Sequence, residues 1–88
     1  MIVEVFKAFH KDVANIDDVD VLIAIAEVVD YAKNIENIKE IPNLKKMKGY
    51  RTAFRIKIGN YRIGITVDDE TIIFHRVLHR REVYRYFP

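Results

Sequence analysis

Hydrophobic positions recur along this chain with two different periods. In residues 2–6, Ile2, Glu4 and Phe6 alternate with Val3 and Val5, which predicts a short first strand. From Ala8 to Ile16 the period changes, and Phe9, Val13 and Ile16 fall at helical spacing. Asp17 or Asp18 can cap a second helix, its carboxylate accepting from free backbone N–H groups at the positive end of the helix dipole. That helix is expected to run to about Asn34. Val21, Ala24, Ile25, Val28, Val29 and Ala32 give it one broad apolar face. Leu22, Ile23 and Ala26 carry that face nearly all round, with Glu27 the only charge between Val21 and Val29. Burial in the core is the main reading of so apolar a helix, and partial cover by a partner is the second.

The second half returns to a period of two. A connector from Asn34 to Met47 is broken by Pro42, and Gly49 opens a run of strands. Phe54, Ile56 and Ile58 point one way while Arg55 and Lys57 point the other. Gly59-Asn60 predicts a two-residue hairpin, with Gly59 supplying the positive φ of a type II′ turn. Beyond it Tyr61, Ile63, Ile65 and Val67 alternate with Arg62, Gly64 and Thr66. Asp68-Asp69-Glu70 reads as a turn rather than a cation site. Thr71 to Leu78 is almost continuously apolar, as in a strand buried on both faces, and a tail rich in charge and rings follows from His79 to Pro88. The expected architecture is α+β, with two N-terminal helices packed on a small antiparallel sheet in the order β-α-α-β-β-β. A single domain covers residues 1–88.

Composition narrows the class of protein. There is no cysteine, so disulfides and thiolate zinc sites are excluded. The longest apolar run, Val21 to Ala26, is far short of a membrane span, and Met1 to Phe6 is too short for a leader or anchor. A cytoplasmic location without membrane contact is the expectation. The net charge of +2 hides a division within the chain. Residues 1–44 hold four lysines and no arginine against nine carboxylates, whereas residues 45–88 hold four lysines and seven arginines against four. An anionic partner for the second half follows, and arginine suits phosphate through its paired donors.

The predicted hairpin turns this charge into geometry. A two-residue loop pairs Ile58 with Tyr61 and therefore sets Lys57 opposite Arg62, on the face that also carries Arg55. Three cations then stand within about 5–8 Å of one another. Such crowding is relieved by an anion, which marks a phosphate site. An ordinary solvated sheet face is the alternative. In the tail, Arg80, Arg81 and Arg85 are surface charges or RNA contacts. Tyr84, Tyr86 and Phe87 either anchor the C-terminus or stack a splayed base. His79 is a structural residue or an acid–base group, a role open to any histidine near neutral pH. Lys45, Lys46 and Lys48 are phosphate contacts or a solvated loop. His10 and His75 receive no role, and no metal or small-molecule cofactor site is expected.

Taken in order, Lys48-Gly49, Phe54-Arg55-Ile56-Lys57, Gly59-Asn60-Tyr61-Arg62-Ile63 and His79-Arg80-Arg81-Glu82-Val83-Tyr84-Arg85 resemble the RelE branch of the RelE/ParE toxin superfamily. The resemblance spans essentially the whole chain, with its specific motifs in residues 48–85. It implies a metal-independent endoribonuclease of a toxin–antitoxin pair, held by a cognate antitoxin, that enters the ribosomal A site and cuts mRNA. In that chemistry the RNA 2′-OH attacks the adjacent phosphate, leaving a 2′,3′-cyclic phosphate and a 5′-OH. By motif, Arg55 and Lys57 are the basic strand pair, with Lys57 the candidate proton acceptor. Arg62 matches the phosphate-stabilising arginine, Arg80 the arginine that serves the leaving group, and Tyr84 the ring that stacks on the target nucleotide. Lys45, Lys46, Lys48, His79, Arg81 and Arg85 are the wider RNA contacts. Two departures stand out: Arg55 replaces a lysine of some members, and His79 replaces a basic residue. A ParE-like poison of DNA gyrase, and a catalytically silent nucleic-acid-binding member, are the alternative readings.

Overall fold

A computed structural model describes all residues from Met1 to Pro88. Strand β1 (Ile2–Val5) leads into helix α1 (Lys7–Ala14), and helix α2 (Val19–Lys33) follows. Asp18 caps α2, its Oδ1 accepting from the backbone N–H of Asp20 at 3.0 Å and of Val21 at 3.3 Å. A 3-10 turn (Ile38–Glu40) and Pro42 then lead to strand β2 (Leu44–Lys46), inside the segment expected to be a connector. Strands β3 (Ala53–Ile58), β4 (Tyr61–Asp68) and β5 (Thr71–His79) form the meander, and a four-residue helix, α3 (Val83–Tyr86), closes the tail.

The five strands form one sheet in the order β1-β5-β4-β3-β2. The expected antiparallel sheet is thus mixed, because β1 runs parallel to β5, with Val3 beside Ile72 and Val5 beside Phe74. The sequence shows which residues alternate but not which edge they join, and a four-residue strand carries no signal of its neighbour's direction.

Two cores lie on opposite faces of the sheet. On the helix face Phe9, Ile16, Ile25 and Ala32 pack against Ile56, Ile63, Ile65, Ile72, Phe74 and Val77. On the other face a smaller core joins Met47, Ala53, Val83 and Phe87, with Leu78 against them. Phe74 and Val77 share the helix face although they lie three residues apart. The register shift opposite Gly64 and Ile65 makes this possible. One extra residue in β5 resets the alternation, and His75 falls at that irregularity. The apolar run from Thr71 to Leu78 therefore serves both cores. Helix α2 is only partly covered: Ile25 and Ala32 are buried, whereas Val19, Ile23 and Tyr31 remain exposed.

Candidate active site

The hairpin has the expected register. Ile58 pairs with Tyr61, Lys57 with Arg62 and Arg55 with Gly64. Gly59 has φ +55° while Asn60 is not left-handed, which fits a type II′ turn. Directly paired side chains on one face lie about 5 Å apart at Cβ, so Lys57 and Arg62 are crowded as their spacing predicted. Strand β2 adds a further cation, for Lys45 is paired with Arg55. A row therefore crosses the face away from the long helices: Lys45, Arg55, Gly64 and Arg76. The neighbouring row, nearer the hairpin tip, is Lys57, Arg62 and Leu78.

Helix α3 lies on this face, and the gap at Gly64 is its seat. A Cβ on Gly64 would stand 2.4 Å from the Phe87 ring, so only glycine lets the ring rest on the sheet. The two tyrosines of α3 each meet a neighbouring cation in the row. Tyr84 lies against Arg55, whose guanidinium carbon is 5.7 Å from the ring centroid and whose Nη1 donates to the hydroxyl. Tyr86 lies against Arg76, at 5.2 Å. Val83 is buried below, so Tyr84 is held in position yet remains 55% exposed. Its ring is available to a ligand.

Arg76 has a partner that the other cations of the row lack. Asp12 of α1 accepts from its Nε at 2.7 Å, from its Nη2 at 2.9 Å, and from the backbone N–H of Val77 at 3.0 Å. Beyond Phe74 strand β5 has no strand on that side, because β1 pairs only with Thr71–Phe74. The carboxylate thus satisfies an edge N–H that would otherwise be buried without a partner. Its hydrogen bonds hold the Arg76 guanidinium charged, raising its pKa. This is the only ion pair in the fold. Lys45, Arg55, Lys57 and Arg62 consequently face solvent with no carboxylate to neutralise them. Arg62 donates through Nη1 to the carbonyls of Gly59 and Tyr61, both at 2.9 Å, which fixes its guanidinium by the hairpin and leaves its other donors free. Arg80 is brought to the same corner, its backbone N–H donating to Asn60 at 2.8 Å.

The other expected contacts are dispersed. His79 sits across from Tyr61, ring centroids 5.9 Å apart, on the helix side of the sheet. Its Nδ1 accepts from the Arg81 N–H, and it lines a hollow with Asp12, Asn15 and Glu82. It closes a turn and does not join the cationic rows. Lys46 is paired with Phe54 and so faces the helix side, Lys48 lies in the loop after β2, and Arg81 is exposed in the turn before α3. Arg85 projects to solvent, because Val83 and Phe87 take the inward side of α3. His75 is half-buried among Phe6, Phe87 and Thr66, and burial lowers its pKa, so the neutral ring is favoured.

The sequence reading gave no role to Gly64, Asp12 or Arg76, whereas Phe87 takes the first of its two expected roles and anchors the tail to the core. A signal was present: Gly64 is the only glycine inside a strand, and Arg76 is a full charge within an apolar run.

Comparison with known proteins bears on the family and the fold. Residues 3–84 match the family described as ParE toxin of type II toxin-antitoxin system, parDE. The chain is 41% identical to Toxin RelE3 of Methanocaldococcus jannaschii over 83 residues, 93% of each protein. It superposes with a TM-score of 0.83 on a chain of the RelB-RelE antitoxin-toxin complex from Methanococcus jannaschii, at 39% identity, covering 97% of this chain and 99% of that one. The fold is also that of a chain of the toxin-antitoxin complex RelBE2 from Mycobacterium tuberculosis, with a TM-score of 0.69 at 23% identity over 90% of this chain and 96% of that one. The chain therefore belongs to the ParE toxin family of type II toxin–antitoxin systems, as a RelE-like toxin of the RelE/ParE superfamily.

Proposed function

We propose that this toxin is a ribosome-dependent endoribonuclease that enters the ribosomal A site and cuts the bound mRNA without a metal ion. The observation that carries the reading is the exposed Tyr84 ring resting on Arg55, amid cations that have no carboxylate partner. A base stacks on the exposed side of the Tyr84 ring while its phosphate meets Arg55, Lys57 and Arg62 beside it. Fixed guanidinium groups act best on charge that develops during reaction, because they need not reorganise. Arg62, tied to the hairpin carbonyls, and Arg55, tied to Tyr84, are such groups. The 2′-OH attacks the adjacent phosphorus and its proton passes to Lys57, the assigned base. Arg80 stabilises the departing 5′ oxygen, which takes a proton from solvent water as the P–O bond breaks. The products are a 2′,3′-cyclic phosphate and a 5′-OH.

A cognate antitoxin holds the toxin in check; the related chains from Methanococcus jannaschii and Mycobacterium tuberculosis were solved as such complexes. The toxin works in the cytoplasm, where its ribosomal target lies, and no helix of the fold is long and apolar enough to cross a membrane.

Primer extension on translated messages after induction tests the reading. New cuts within codons are expected, and they persist in a chelator as long as ribosomes stay intact. Arg62→Ala and Arg80→Ala each lower cleavage by about a hundredfold or more, the size of effect seen when one charge-stabilising donor is removed. Growth arrest with DNA breaks at gyrase and no RNA cuts points instead to gyrase poisoning, and absence of arrest to a silent member. Wild-type cutting by both variants refutes the assigned site.

A further inference from the structure

We infer that the loop between β2 and β3 forms a second base-stacking subsite, with Tyr50 as its platform, for a nucleotide that flanks the one on Tyr84. This rests on the ribonuclease reading and extends its site along the RNA strand.

Tyr50 is 51% exposed on a loop whose two ends are fixed. Met47 donates its backbone N–H to the Ala53 carbonyl at 2.9 Å, and Val67 donates to the Thr52 carbonyl at 2.9 Å. A tight turn between them brings the Tyr50 N–H to the Met47 carbonyl at 3.2 Å, with Gly49 at φ +86° allowing the reversal. The ring is thus presented on a braced loop and loses little entropy on binding.

Its surroundings suit single-stranded RNA. Lys48 and Arg51 share with Tyr50 a hollow of about 360 Å³, and neither has a carboxylate partner. An exposed ring among unpaired cations offers stacking for a base and charge for its phosphates, a combination that tolerates any base. The loop is also continuous with the first site. Lys45, the start of the cationic row, lies two residues before Met47, and Met47 is buried against Val83 beside Tyr84. Two exposed tyrosines, each accompanied by arginine, therefore border one small core, Tyr84 next to Val83 and Tyr50 on the loop between Met47 and Ala53. A nucleotide held at Tyr50 would fix the strand's register and tighten binding, without touching the reacting phosphate.

Cleavage on ribosomes programmed with a defined message tests this, using the full-length toxin. Tyr50→Ala is expected to raise the toxin concentration for half-maximal cutting about tenfold, the order expected for one lost base stack, with less than a twofold change in the saturated rate. Tyr50→Trp restores wild-type behaviour, whereas Tyr50→Leu does not. An abasic nucleotide at one position flanking the cut weakens wild type to the level of Tyr50→Ala and leaves that variant unchanged. Equal concentration dependence for wild type and Tyr50→Ala overturns the subsite alone, provided the wild type cuts. So does a loss that no abasic position reproduces, as when the ring docks against the antitoxin or a ribosomal protein. If the wild-type toxin cuts no message, the ribonuclease reading fails first and the subsite with it.

Discussion

Gly64→Ala perturbs the link between fold and function with the smallest possible group. Alanine in a strand interior is ordinarily favoured over glycine by about 0.5–1 kcal/mol, and Gly64 does not have a left-handed φ that would explain its presence. The added Cβ, however, falls 2.4, 2.5 and 2.8 Å from three atoms of the Phe87 ring. No ordinary contact is so close. The sheet below is fully buried on its helix side at Ile63 and Ile65, so the ring is the part that moves. Overpacking of this kind costs about 1–3 kcal/mol, and complete ejection of the ring sets a similar limit of about 2–3 kcal/mol for its lost burial. A net destabilisation of about 1–2 kcal/mol is expected once the strand preference is subtracted. Urea denaturation measures it as a lowered midpoint at unchanged slope. Because Phe87 anchors α3, Tyr84 loses its place on Arg55, and message cleavage should fall at least tenfold. Phe87→Leu makes room for the methyl group. In that background Gly64→Ala should therefore cost less than about 0.5 kcal/mol, leaving a coupling energy well above zero. Additive costs in the double variant, or a Gly64→Ala protein of wild-type stability and activity, would falsify the proposed seat.

Two further perturbations probe the supports of the site. Asp12→Ala leaves the Val77 N–H and the Arg76 guanidinium without their acceptor, and a loss of about 2–4 kcal/mol is expected from an unsatisfied buried donor and a broken, partly exposed ion pair. Thermal melting reads this as a drop of roughly 10–25 °C, at about 4–8 °C per kcal/mol for a domain of this size; a shift of a degree or two would show the pair to be ornamental. His75 carries a pH dependence, since burial lowers its pKa in the fold and the unfolded chain binds the proton more readily. Its contribution is complete above the unfolded value of about 6.5 and is lost as pH falls from there through the folded pKa. Chemical denaturation of wild type and His75→Gln between pH 7.5 and 5 should show a steeper loss for wild type, and parallel curves would contradict the assignment.

Much of the cationic centre was legible in the chain because a two-residue turn leaves strand register no freedom. Gly59-Asn60 and strict alternation were enough to set Lys57 opposite Arg62 and Arg55 on their face, as observed. Lys45 was foreseen as a contact, but its place beside Arg55 depends on β2, three residues long and preceded by proline, too short to have a period. His79 was grouped with its charged neighbours in sequence, whereas the irregularity in β5 and the pairing with Tyr61 put it on the helix side.

Local rules thus determined the elements, the hairpin register and the charge of the second half, since each depends on residues within a few positions of one another. The antitoxin–toxin family was readable from motifs of the same short range. Only the folded chain decided that β1 joins β5 in parallel, that Asp12 reaches Arg76 across 64 positions, and that Phe87 rests on Gly64. Those contacts are set by which edges and gaps the rest of the sheet leaves open. Close packing and the satisfaction of buried polar groups choose among them, and neither is expressed in any short stretch of sequence.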